Sequence, residues 1–419
     1  MKISYPGSQL CLRARGTEFE AVPGKRISPM INVLHVVCYP ELYGTQRSML
    51  STVKCLNRSE FTPYVAAPDN AMFKNAVHDA GCAHFVDIPM RSASDFSSFF
   101  MIKNLIHRRN IDVVHTHLGI SSFLGVSAAA SAGIPSIITR HFINDQYTRI
   151  INPFKRIVSL SAYRWINNRA ERIVFVSQAV KNAIICRENP NPMKCHVIPN
   201  GIAIPEPDSL HTSRESQSWN LPISKPPANQ KIVACVARLS PEKNLDILLR
   251  ASAICIESGI DICVIVAGNG PLHSDLVLLS KTLGIEARLH FVGFLDNVYD
   301  LLSVADVFVL PAAQEPFGIS ILEAMAVGLP VIASKSGGAL DIVESGISGL
   351  LVPPSDPEAL ARAMIRVIGD QALSDSLRRG GLARAAQFDE RAVARRMENL
   401  YREVLGEGIN SAAAGRLGD

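Results

Sequence analysis

Short continuous runs of Val, Ile and Ala recur along the chain, and longer amphipathic stretches separate most of them. A strand with one solvated face alternates apolar and polar residues; a continuous apolar run reads as a strand buried on both faces. Such strands belong to parallel sheets covered by helices on both sides. In the first half the expected strands are Ile31–Cys38, Pro63–Ala67, His84–Ile88, Asp112–His117, Ser136–Thr139, Arg172–Ser177 and His196–Ile198. Helical patterns such as Thr45–Leu56 and Ile120–Ala132 lie between them. A second series follows: Ile232–Ala237, Ile262–Ala267, Leu289–Val292, Val307–Leu310, Val331–Ala333 and Leu350–Val352. Two helical patterns, Pro357–Ile368 and Arg391–Leu405, close the chain. The fold class expected is α/β, with two doubly wound parallel-sheet domains facing a central cleft.

Residues 204–230 separate the two series. They carry Pro205-Glu206-Pro207, a Ser-rich stretch and Lys225-Pro226-Pro227, with few apolar side chains, as an exposed connection does. This places an N-terminal domain at 31–203, a linker at 204–230 and a C-terminal domain at 231–388, followed by a closing helix at 389–405. Residues 1–30 and 406–419 are expected to be disordered. Met30 immediately precedes the first core strand, so the residues before it read as an arm or as a consequence of start-site choice.

The chain has 419 residues, enough for two cores, and a net charge of only +4. That balance does not argue for nucleic acid, and no motif of a nucleic-acid reader is present. Its nine cysteines include no Cys-x-x-Cys pair, which argues against a disulfide framework or a zinc site. Residues 1–29 show no apolar core like that of a secretory signal, and the best apolar run, Phe123–Ile138, is broken by Ser, Gly and Pro. A cytoplasmic protein is expected, able to work at the inner face of a membrane.

In open parallel sheets ligands bind beyond the carboxyl ends of the strands. One string stands there with a chemistry to offer: Glu315-Pro-Phe-Gly-Ile-Ser-Ile-Leu-Glu323, after the strand Val307–Leu310. Pro316 and Gly318 set a helix start just after Glu315, and Glu323 falls about two turns into that helix. A helix start offers free N–H groups and a positive dipole end, which suit a diphosphate. Glu315 can accept hydrogen bonds from sugar hydroxyls and Glu323 from a ribose diol. The bland alternative is a capping glutamate and a glutamate on a solvated face. Arg238 and Lys243 flank another strand-to-helix turn, where two cations can neutralise a departing diphosphate.

The string and its apolar continuation Ala324–Ala333 resemble the E-x7-E signature of the family 4 retaining glycosyltransferases, which have the GT-B fold. Other segments agree: Arg238-Leu-Ser-Pro-Glu-Lys243-Asn244, Ala267-Gly268-Asn-Gly270-Pro271, Gly293-Phe294, Pro199-Asn200-Gly201 and Ser336-Gly337-Gly338. The resemblance implies a donor nucleotide sugar held by Gly44, Arg238, Lys243, Gly268, Phe294, Glu315, Phe317, Gly318, Ile319 and Glu323. It implies catalytic roles for His141, Glu315, Arg238 and Lys243, with an acceptor on the first domain. His141, in Thr139-Arg140-His141, falls where the family has a histidine near the reacting sugar carbon. Tyr43-Gly44-Thr45-Gln46-Arg47 resembles the family's Gly-rich loop, with Tyr43 in place of the first of two glycines.

His115 and His117 share one face of a strand end. They read as structural or acceptor-side, because no further ligand at metal-site spacing stands near them in sequence. No Asp-x-Asp occurs, so cations and a helix start are expected to serve the diphosphate without a metal or other cofactor. No Gly-x-Gly-x-x-Gly occurs, which disfavours a nicotinamide enzyme. Residues 148–172 interleave six cations with apolar side chains and hold one acid, Glu171. Such a helix can lie on an anionic membrane, or can pack on its own sheet.

These residues together point to sugar transfer from a UDP- or GDP-type donor to an acceptor hydroxyl, the acceptor being a saccharide or a lipid-linked saccharide of a cell-surface polysaccharide. Retention of anomeric configuration is what the resemblance implies. A sugar-nucleotide epimerase on the same scaffold and a non-catalytic sugar-nucleotide-binding protein remain as alternatives.

Overall fold

The computed structural model describes residues 30–117, 119–143, 152–205 and 219–406. The expected arms at both chain ends, apart from Met30 and Gly406, and residues 118, 144–151 and 206–218, the last within the expected linker, lie outside the described residues.

Two parallel sheets are present. The first contains β1 (Ile31–Val37), β2 (Phe61–Ala67), β3 (His84–Asp87), β4 (Val113–His117), β5 (Ser136–Arg140), β6 (Arg172–Phe175) and β7 (Cys195–Val197), in the order β3-β2-β1-β4-β5-β6-β7. The second contains β8 (Lys231–Val236), β9 (Ile262–Ala267), β10 (Leu289–Gly293), β11 (Val307–Leu310), β12 (Val331–Ser334) and β13 (Leu350–Val352), in the order β10-β9-β8-β11-β12-β13. Around the first sheet run α1 (Gly44–Cys55), α2 (Ala71–Asp79), α3 (Phe96–Arg108), α4 (Gly119–Ala132), α5 (Pro153–Arg169) and α6 (Gln178–Glu188). The second carries α7 (Leu245–Glu257), α8 (His273–Thr282), α9 (Tyr299–Leu302), α10 (Ile319–Ala326), α11 (Ala339–Ile342), α12 (Pro357–Gly369) and α13 (Gln371–Ala385), and α14 (Glu390–Val404) closes the chain.

The central strands are apolar because both their faces are covered. Every residue of β4, β5, β9, β11 and β12 is buried. In each sheet the strand order reverses beside the first strand of the series: β1 lies between β2 and β4, and β8 between β9 and β11. Loops leaving neighbouring strands diverge there to opposite faces and leave a crevice.

α13 escapes the sequence pattern. It buries only Leu377, Gly381 and Ala385, a stripe too thin to show as periodic hydrophobicity, and it contains two glycines that lower helix propensity. A side chain at Gly380 would collide with the Ile347 carbonyl, so the small residues let this helix approach its neighbours closely.

α14 leaves the second domain and packs on the first. Val393, Met397, Leu400 and Tyr401 join Ile31, Val33, Phe61 and Ile137 in one apolar cluster. Lys54 and Glu390 pair at 3.0 Å, and Arg402 and Glu60 at 2.6 Å. The outgoing crossing lies beside the returning one: Ile202 bridges Asp389, and a Cβ on Gly201 would stand 2.6 Å from the Glu390 Cα.

Candidate active site

The loops from β1, β8 and β11 meet at the crevice. Gly44 opens α1 after β1, and Ile319 opens α10 after β11. A Cβ on Gly44 would lie 3.5 Å from the Ile319 Cδ1, so the two helix starts abut across the domains. No side chain caps either helix start. Their first N–H groups and positive dipole ends are thus open to an anion. Tyr43 sits at φ −86° in extended backbone, so the place of the family's first glycine demands no glycine here. Gly318 does require one, with φ +109° immediately before α10.

The β8 and β11 loops are tied together. Ala313 N donates to the Glu242 carbonyl at 3.0 Å, and Lys243 Nζ donates to Glu315 Oε2 at 2.6 Å. Glu315 is 5% exposed. The sequence reading assigned this carboxylate to sugar hydroxyls and this ammonium to a diphosphate; the structure joins them as an ion pair. Arg238 differs: its side chain is exposed, and no ion pair among the described residues engages it. Gly268 and Gly337 make the close approaches of this layer. A Cβ on Gly268 would collide with the Ala237 carbonyl, and one on Gly337 with the Glu315 carbonyl. Both have positive φ, +130° and +54°. Phe317 is 3% exposed and its ring lies 6.0 Å from Phe388, so its side chain serves the core and only its backbone is left for a donor.

Glu323 lines the crevice from the second turn of α10 and is half-buried, not solvated. Burial pushes its carboxyl up to about 7, against the opposing pull of the Arg47 guanidinium. Arg47, from α1, also stands 5.7 Å over the half-exposed Phe294 ring. In sequence Arg47 stands only as part of the loop Tyr43–Arg47. Its signal was position: one turn into the helix that faces the glutamate. Ser177, the end of an expected strand, and Gln178 carry no site signal in the sequence. Ser177 Oγ donates to the Pro316 carbonyl at 2.6 Å, and Gln178 N to Asp341 Oδ2 at 2.6 Å, clamping the start of α6 to the β11 loop and to α11.

On the first domain, His141 follows β5 and is 7% exposed. Next to it Arg140 is buried in an ion pair with Glu188 at 2.5 Å, which anchors that strand end. His117 Nδ1 and His141 Nε2 are 3.2 Å apart, and His35 Nδ1 and His117 Nε2 are 3.3 Å apart. His115 bonds Tyr401 Oη at 2.7 Å and Thr139 Oγ1 at 2.6 Å, fastening α14 to the strand ends. The expectation that His115 and His117 lack a third metal-ligating neighbour is corrected here. His35 is the cross-strand partner of His115, and the three histidines hold ring nitrogens within 4.8 Å of one another. Only the β1–β4 register brings them together, and that register is not written in either strand alone.

The second domain matches a family model described as glycosyl transferases group 1 over residues 218–384, and the first matches glycosyltransferase family 4 over residues 43–204. The chain belongs to the family 4 glycosyltransferases. It is 28% identical over 355 residues to the UDP-Gal:alpha-D-GlcNAc-diphosphoundecaprenol alpha-1,3-galactosyltransferase of Escherichia coli, covering 82% of this chain and 89% of that one. It is 28% identical over 316 residues to a D-inositol 3-phosphate glycosyltransferase of Salinispora tropica, covering 71% of this chain and 64% of that one. The fold is that of Anabaena HepE, solved in complex with UDP and glucose: TM-score 0.75 at 22% identity, over 89% of this chain and all (100%) of that one. WaaG, a glycosyltransferase involved in lipopolysaccharide biosynthesis, aligns with TM-score 0.66 at 16% identity, over 88% of this chain and 99% of that one.

This glycosyltransferase has no described helix long and apolar enough to cross a membrane. Its α5, however, does not pack on the sheet along its whole length. Tyr163, Ile166 and Asn167 are buried, whereas Asn152 to Val158 are all exposed. Phe154 is 73% exposed and Ile157 62%.

Proposed function

We propose that this glycosyltransferase moves a hexosyl group from a UDP- or GDP-linked donor to a hydroxyl of a lipid-linked saccharide, with retention of anomeric configuration and without a metal. The observation that carries the reading is the meeting of two uncapped helix starts, α1 and α10, at the crevices of two facing sheets. A diphosphate there would receive N–H groups from both, with exposed Arg238 as a further cation and Glu323 as acceptor for a ribose diol. As the donor bond loosens, charge grows on the departing diphosphate, and these groups stabilise it. The departing phosphate takes the acceptor proton, consistent with His141 being too buried to protonate: burial pushes it down to about 3. The Escherichia coli relative, named for a diphosphoundecaprenol-linked acceptor, supports a lipid-linked acceptor, as does the exposed start of α5.

The test is to incubate the purified protein with a panel of UDP- and GDP-sugars, with and without lipid-linked saccharides, in excess chelator. Nucleoside diphosphate released only with acceptor, and an α-linked product from an α-linked donor, support the reading. Conversion of the donor into its epimer without acceptor would replace it with an isomerase. Strict dependence of a single turnover on added magnesium or manganese would remove the metal-free mechanism.

A further inference from the structure

We propose that His35 and His117 are positioning residues that hold His141 as one ring tautomer, with its proton on Nδ1, so that it offers a bound sugar a hydrogen-bond donor. The consequence for catalysis rests on the placement of His141 at the donor sugar; the tautomer itself does not.

The three rings form a chain. His35 Nδ1 meets His117 Nε2 at 3.3 Å, and His117 Nδ1 meets His141 Nε2 at 3.2 Å. All three are buried, at 0%, 3% and 7% exposure. Burial holds them neutral. His35 is pushed down to about 3, with the Arg58 charge adding to the effect, and His117 lies well below the usual range. A neutral imidazole has one N–H and one lone pair. Two linked contacts between such rings permit only two arrangements, with every proton pointing one way or every proton pointing the other.

The far end decides between them. His35 Nε2 is buried with no hydrogen-bond partner among the described residues. In one arrangement that nitrogen is a bare lone pair. In the other it is an N–H with nothing to receive it, and an orphaned buried N–H is the rarer defect in folded proteins. The proton of His35 therefore sits on Nδ1 and points to His117. His117 then carries its proton on Nδ1 and donates to His141 Nε2, and His141 is left with its proton on Nδ1. In this state His141 presents a donor, suited to a sugar oxygen, and cannot accept a proton at Nδ1 unless the whole chain reverses. His115 stands outside the chain, because both its nitrogens are engaged by Tyr401 and Thr139.

The experiment is long-range 1H–15N spectroscopy of protein labelled at histidine, with signals assigned through single variants. The expected result is a protonated Nδ1 and a bare Nε2 on His35, His117 and His141. A protonated Nε2 on His141 overturns the proposal. So does stoichiometric zinc in the purified protein, since the ring lone pairs would then be ligands. His35→Asp places a carboxylate acceptor at the far end of the chain, within the influence of the Arg58 charge, so His117 donates from Nε2, the chain reverses, His141 carries its proton on Nε2, and kcat falls about tenfold while the donor KM holds. His35→Asn keeps a donor at the Nδ1 position and restores the wild-type spectrum and kcat. A His141 spectrum unchanged in a folded His35→Asp protein overturns the proposal. If His35→Asp does not fold, the wild-type and His35→Asn spectra decide. The expected tautomer together with full turnover by His141→Ala would leave the chain intact and remove its catalytic consequence.

Discussion

Lys243 and Glu315 form an ion pair at 2.6 Å, with side-chain exposures of 17% and 7%. The pair joins the β8 turn to the β11 loop, so it braces the crevice as well as lining it. Removing one partner leaves an uncompensated charge out of water, which costs about 3–5 kcal/mol. Lys243→Ala and Glu315→Ala are therefore expected to lower the melting temperature as well as abolish transfer. Chemical denaturation of each single variant and of Lys243→Met/Glu315→Leu checks this. The double variant is expected to be more stable than either single. Single variants with wild-type stability would show that water screens the pair.

Arg238 is the contrasting case. It is exposed and braces nothing among the described residues, so Arg238→Ala is expected to keep wild-type stability. Its loss should appear in the chemical step, at about 2–4 kcal/mol, the scale for one electrostatic donor to a developing charge. That corresponds to a fall of about thirty- to a thousandfold in kcat/KM. Near-normal turnover by the folded variant would take Arg238 out of the mechanism.

The contrast between these two cations marks how far the sequence is legible. Continuous apolar strands alternating with helices carry the fold class, because strands buried on both faces have no polar face to show. The crevice loops are legible too, since they follow strands at the reversal of order. What single strings cannot show is side-chain pairing across elements. Lys243 and Arg238 look alike in sequence, and only packing makes one a brace and leaves the other free. His35 is invisible as a neighbour of His117 until β1 and β4 are set in register. Helix α13 is lost because close packing through Gly380 and Gly381 replaces an apolar stripe. Phe317 looks like a donor contact because it stands inside the Glu315–Glu323 string, but its ring fills the core.

Glu323 gives the site a pH dependence. Its carboxyl is raised from 4.5 to about 7 by burial, so much of it is protonated in the free enzyme at neutral pH. The sign follows for stability: a raised acid favours the fold below its unfolded value, and that contribution is lost as pH rises through about 7. A ribose diol, in contrast, is held better by the carboxylate. Affinity for the donor's nucleoside diphosphate is thus expected to rise from about pH 6 to about pH 8, by up to about tenfold per unit below the pKa. Glu323→Gln should bind that nucleoside diphosphate about ten- to a hundredfold more weakly at about pH 8, the worth of hydrogen bonds to a charged group, and should lose this rise. The nucleotide's own phosphate titrates near about 6, so the quantity to compare is the difference between the two calorimetric profiles. Parallel profiles for wild type and Glu323→Gln would separate Glu323 from the ribose.

The start of α5 supplies the last prediction. Phe154, Ile157 and Val158 are exposed beside Lys155 and Arg156, while the second half of the helix is anchored by Tyr163 and Ile166. An anchored helix whose free turns carry apolar and cationic side chains together can press into an anionic interface without the domain unfolding. Each cation near such a surface adds about 1 kcal/mol, and salt weakens the effect. Replacing Lys155, Arg156 and Arg164 together by Gln is expected to reduce binding to anionic vesicles by about a hundredfold at low salt. Phe154→Ser with Ile157→Ser should weaken it further, by removing the apolar contact that salt does not screen. Since none of these side chains is buried, the variants should keep wild-type stability and full turnover of a water-soluble acceptor, losing rate only on acceptor carried in vesicles. Co-sedimentation with anionic and neutral vesicles at two salt concentrations reads the outcome. Absence of vesicle binding by the intact protein, or binding indifferent to the triple change, would leave the exposed turns of α5 without a role at a membrane.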